Sequence, residues 1–173
     1  MEQPASMIVP PPKTASVAFY HGLVFGLIQA LIASVVLILN AFVTVNSLGG
    51  ALLLSSLSLL TGLAAYFVAG IFAAKQNGKV RTGLFAGMWT GGIYGIIGMV
   101  VSMVIFFQIT YPKLIDAVTA SGTYANMDAY KVGAEIGGVG GPILGFLFAI
   151  GVGAGLGALG GLIGRNISKY KPV

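Results

Sequence analysis

No residue that is charged at neutral pH lies between Lys13 and Lys75. Soluble folds seldom go so far without a charged side chain, whereas a bilayer excludes charges, so this run points to a chain that lives in a membrane. One span needs about 20 apolar residues, and the run is long enough for two. Its break is expected at "TVNSLGG", Thr44 to Gly50, where turn residues and a glycine pair fall together. The first helix is therefore expected at about 17–43 and the second at about 51–74.

Two further charge-free stretches follow. The first, from Thr82 to Pro112, predicts a third helix at about 82–108 whose end is marked by Tyr111 and Pro112. The second, from Ile136 to Gly164, predicts a fourth at about 142–164, with Pro142 in its first turn. Between them lies an outer loop, 109–136. Within it "YPKLIDAVTASG" reads as a short interfacial helix begun at Pro112 and stopped at Gly122, and Asn126 is a candidate cap. The fold expected is an all-α membrane protein, a bundle of four transmembrane helices over 17–165. A proline-rich tail, 1–16, precedes it and a basic tail, 166–173, follows. The first tail reads either as a flexible polyproline-like segment or as a strap docked on a partner. Only Lys13 precedes the first apolar run, which is longer than a signal sequence needs, so the first helix is expected to be retained.

Composition agrees with this class. Apolar residues make up 57% of the 173, charged residues 8%, and the mean hydropathy is +0.96. That length suffices for one bundle and one modest extramembrane segment, with no room for a separate catalytic domain. The chain has no cysteine, which excludes disulfides and thiolate metal sites.

Orientation follows from the basic residues. Lys13, Lys75, Lys79, Arg81, Arg165, Lys169 and Lys171 fall on one side of the expected bundle, and only Lys113 and Lys131 on the other, beside Asp116, Asp128 and Glu135. The positive-inside rule makes both termini cytoplasmic. Aromatic residues fit the same frame, with Phe19, Tyr20, Phe72, Phe85 and Tyr170 near the inner interface and Phe42, Phe106, Phe107 and Tyr111 near the outer one. The basic clusters read as topogenic, placed near anionic headgroups, and neither specific lipid binding nor a nucleic-acid partner is expected from the sequence.

Glycine is the other compositional peculiarity, at 27 residues. In steps of four the fourth helix reads Gly137, Gly141, Gly145, Ala149, Gly153, Gly157, Gly161; the third reads Gly83, Gly87, Gly91, Gly95; the first reads Gly22, Gly26, Ala30, Ser34. Lipid supplies little hydrophobic drive between helices, so such ridges serve close backbone approach. They are candidate packing faces, toward helices of this chain or of another subunit. A shift of 65 positions also superposes the first helix on the third, with Gly22 on Gly87, Gly26 on Gly91 and Phe42 on Phe107. One of 91 superposes the second on the fourth, with Gly62 on Gly153 and Gly70 on Gly161. A tandem duplication of a helical hairpin would account for both shifts.

Polar side chains within the spans are few. Gln29, Asn40, Thr90 and Tyr94, together with Thr61 and Ser102, read first as interhelical hydrogen-bond partners and second as a solute path. His21, one turn inside the inner interface, reads as an interfacial histidine, with axial ligation of a haem or chlorin as the sharper alternative. No carboxylate falls at mid-membrane to couple protons or sodium.

The segment "GLVFGLIQALIASVV", the basic loop, the glycine-rich third helix running into "YPKLID", the long outer loop and the basic end together resemble small four-helix bacterial membrane proteins of unknown function. The resemblance covers most of the chain past residue 17 and implies topology and a bacterial inner-membrane setting, with no chemistry attached. The expected function is a non-enzymatic, cofactor-free accessory or scaffolding subunit in a membrane complex, associating with itself or with other subunits. A small channel or transporter is the alternative, and a haem- or chlorin-binding subunit at His21 the second alternative.

Overall fold

A computed structural model describes residues 13–43, 48–122 and 126–169. Residues 1–12 of the expected tail, 44–47 of the expected turn and Tyr170 lie outside the described residues; Leu48, Gly49 and Gly50, also expected in that turn, already belong to the second helix. The chain forms α1 (Thr14–Val43), α2 (Leu48–Asn77), α3 (Val80–Ile105), a π-helical turn at Phe106–Thr110, α4 (Tyr111–Ser121) and α5 (Met127–Asn166). Four helical stretches are long and apolar enough to cross a membrane: α1, α2, the continuous run from α3 through α4, and α5.

Large apolar side chains face outward. Leu31, Leu53, Leu144 and Phe148 are each about two-thirds exposed or more, whereas the buried core is Val17, Ala18, Ala69, Ala73 and Ala86, flanked by Phe25 and Phe85. The three largest fully buried side chains are polar: Gln29, Thr82 and Thr90. In water this arrangement would squander the hydrophobic effect; in lipid, leucine loses nothing by facing the tails, and small residues inside let helices approach.

The helices form a ring, α1–α3–α5–α2, in which α2 and α3 also meet across the centre while α1 and α5 barely touch. The most extensive seam is α3 against α5. A methyl group on Gly87 would overlap the Gly153 carbonyl, one on Gly91 the Ala149 carbonyl, and one on Gly83 would lie 2.6 Å from Gly161 Cα. On the other side of α5, Gly160 and Gly164 meet the carbonyls of Phe67 and Ile71 in α2 in the same way.

Two further boundaries differ from those expected. Residues 127–136, expected in the outer loop, and 137–141, expected to precede the fourth helix, begin α5, so Pro142 lies inside a 40-residue helix rather than in its first turn. Asn126 caps that helix, accepting from the Ala129 N–H at 3.0 Å. Pro142 has no N–H to give the Gly138 carbonyl, yet the helix runs on through the glycines around it. The short helix expected from Pro112 to Gly122 is present as α4, but α3, expected to end near 108, runs into it through the π turn, where the Tyr111 N–H bonds back to the Phe106 carbonyl five residues earlier. Pro112, which cannot donate, follows directly. Gly122 ends α4 in the left-handed region, φ 61°, where glycine carries no steric penalty.

Candidate functional site

The candidate site is the interior between the four helices, and its two ends differ. At the end carrying the α2–α3 turn, here the basic end, burial is dense. Toward the α4 end it thins: no described residue from 49 to 61 in α2 is buried, and from 127 to 148 in α5 only Gly138 is, beneath the Phe106 ring.

Between these regimes lie two cavities, each about half open to the outside of the bundle. One, of about 220 Å³, reaches Gln29, Ser58, Gly62, Tyr66, Tyr94 and Phe148. The other, of about 210 Å³, lies between Leu37, Tyr94, Ser102, Pro142 and Phe146. Tyr94 and Gly145 border both. The walls carry hydroxyl and amide groups and, among the lining residues, no charged side chain, so they offer hydrogen-bond donors and acceptors to a guest.

Most polar residues singled out from the sequence have found partners inside the protein. The Gln29 amide, 1% exposed, donates to the Ser58 carbonyl of α2 at 3.2 Å, and Gly62 leaves room for it. Asn40 donates to Ser55 Oγ at 3.2 Å, again from α1 to α2. Thr90 and Ser102 turn back to their own helix, to the carbonyls of Ala86 and Met99; Thr61 does the same with Ser58. Tyr94 stands apart from these as a cavity wall. Gln29 and Tyr94 therefore share a cavity; Asn40 and Thr90 do not line it.

His21 sits where α1 meets α2. The Gln76 amide donates to its Nε2 at 2.8 Å, and the rings of Tyr20 and Phe72 lie 5.4 and 6.2 Å away. An axial ligand role through Nε2 would first have to break that bond. Among the described residues no group of three His, Cys, Asp or Glu side chains comes together to hold a metal ion.

The glycine faces divide. Gly22 and Gly26 of α1 meet α3 at Trp89 and Ile93; Gly83, Gly87, Gly91 and Gly95 of α3 meet α5, and Gly153, Gly157 and Gly161 of α5 meet α3 in return. Gly141 and Gly145, expected on the same ridge, have no atom within 4 Å of where a Cβ would stand. Four residues turn a helix by about 400°, so a row in steps of four drifts about 40° per step, and by Gly145 it has left the seam. Asn77 drew no attention in the sequence and organises the basic end. Its Oδ1 accepts from the Lys79 N–H at 3.1 Å and the Thr82 hydroxyl at 2.9 Å, and its Nδ2 donates to Thr14 at 3.4 Å. The Asn-Gly pair was the available signal, since Gly78 takes φ 73° to turn the chain.

Comparison of the chain with protein-family models, with curated proteins and with solved structures found no match.

Proposed function

We propose that this chain is a non-enzymatic, multi-pass subunit of a membrane complex, with both termini on the cytoplasmic side of a bacterial inner membrane. Its basic half holds the fold and its α4 half receives a partner. The observation that carries this is the divergence of α4 and α5. From α3 to the end of α4 the helix runs for 42 residues and α5 for 40. At 1.5 Å per residue each is about 60 Å long, twice the hydrocarbon thickness, yet α4 and α5 hardly touch. Val132 and Ile136 stand exposed on the projecting part of α5, beyond the span expected from Pro142 onward. Exposed apolar side chains on such arms support docking. Glycine ridges lock this chain's own helices together in this reading and leave the arms as the contact surface.

Gentle-detergent extraction from the native membrane, followed by native mass spectrometry, tests it. Stoichiometric co-purification of a larger membrane protein, lost when Val132 and Ile136 are both changed to Ser, is the expected result. A chain that purifies alone or only as a homo-oligomer refutes the subunit reading.

Transport of a small neutral solute is the second reading, favoured by the Gln29–Tyr66–Tyr94 cavity. It requires the closed basic half to open, and liposome flux assays with Tyr94→Phe as the control address it. Haem or chlorin ligation at His21 is answered by the absorption spectrum of the natively extracted protein.

A further inference from the structure

At the basic end α1 and α3 leave a pocket of about 470 Å³ whose walls are of two chemical kinds. Thr14, Lys79 and Arg81 stand at the starts of their helices, and Ala18, Phe85 and Trp89 lie further along them, toward the apolar span. Arg81, Phe85 and Trp89 follow at intervals of four and so share one face of α3. The Arg81 guanidinium lies over the Phe85 ring, 5.1 Å from its centre, and Trp89 is held edge-on against Phe19 at 5.1 Å. None of the lining residues is acidic.

The polar part is built. Asn77, 4% exposed, fixes the Lys79 backbone and donates to Thr14 Oγ1, so the Thr14 hydroxyl keeps its own proton for another acceptor. Two cations and one hydroxyl donor, with an aromatic wall leading away from them into the membrane, match one ligand chemistry: a phosphodiester joined to an acyl chain. Inorganic phosphate would meet the same donors and leave the aromatic wall uncovered.

We propose that this pocket binds one anionic phospholipid, the phosphodiester held by Lys79, Arg81 and Thr14 and the glycerol and upper acyl chain laid along Phe85 and Trp89. The site is independent of the arms at the α4 end, so it stands or falls apart from the subunit reading.

Native mass spectrometry of the full chain in non-ionic detergent, given equimolar phosphatidylglycerol and phosphatidylcholine with matched acyl chains, tests it. Two cations near the phosphate favour retention of one phosphatidylglycerol by about tenfold or more over phosphatidylcholine. The exposed-site double variant K79Q/R81Q should fall to near parity while keeping its helical circular dichroism. R165Q/K169Q, at the same end but outside the pocket, should keep the preference. Equal retention of the two lipids by the unaltered protein overturns the proposal, as does an equal loss in both double variants, which would show a diffuse basic surface. Displacement of phosphatidylglycerol by millimolar inorganic phosphate would also overturn it, by showing that the site reads a soluble anion.

Discussion

The basic half of the bundle and the α4 half are made of the same residue types and pack in opposite ways. In the first, glycine and alanine bring backbone against backbone, and Gly87 and Gly153 each stand where the other's side chain would be. In the second, Gly137, Gly140, Gly141 and Gly145 have open space where a side chain would go. Glycine content therefore does not make a seam. Phase along the helix does, because only glycines that return to the contact face can admit a neighbour, and a straight helix carries a row of four-residue steps off that face within a few turns.

Filling the seam breaks this contrast most directly. Gly87→Leu has only the backbone of Gly153 and Gly157 to push against, and neither can rotate away. It should destabilise the bundle by about 3 kcal/mol or more, read as a lower midpoint in SDS-induced unfolding. Asn77→Ala should cost about 2 kcal/mol by the same measurement, since it strips partners from the Lys79 N–H and the Thr82 hydroxyl at once. Gln29→Leu lies at the border of the two halves and loses one interhelical hydrogen bond, so about 0.5–1 kcal/mol is expected. Gly145→Ala should leave the midpoint unchanged or raise it by up to about 0.5 kcal/mol, because helix propensity improves with no neighbour to displace. A loss for Gly145→Ala comparable to that of Gly87→Leu would mean that the two halves pack alike.

The helices were readable because charges mark where spans stop. The gaps bounded by Lys13, Lys75, Arg81 and Arg165 bracket the ends of α1, α2, α3 and α5 at the basic end to within a few residues. Local propensity misled at the other end. A proline among glycines at 137–142 looks like a helix start, but α5 runs through it from Met127, with Gly138 packed beneath Phe106. That contact joins residues 32 positions apart and leaves no local trace. The interior polar residues were visible as candidates, since Gln29, Asn40, Thr90 and Tyr94 stand alone among apolar neighbours. Their sorting was hidden, because whether a side chain meets another helix, its own carbonyl or a cavity depends on how the helices are rotated. Asn77 was obscured for another reason: in a charged turn an asparagine looks like ordinary solvated punctuation.

The π turn at Phe106–Thr110 inserts one residue into what is otherwise a single long helix. Each residue advances a helix by about 100°, so everything after the insertion is rotated by that amount relative to the face that carries Gly83, Gly87, Gly91 and Gly95. The compass bearing of α4 is therefore uncoupled from that of the seam, and Tyr111 is brought to donate to Glu135 of α5 at 2.9 Å. A lineage could re-aim this arm by gaining or losing a single codon there, while the interlocked half below kept its register.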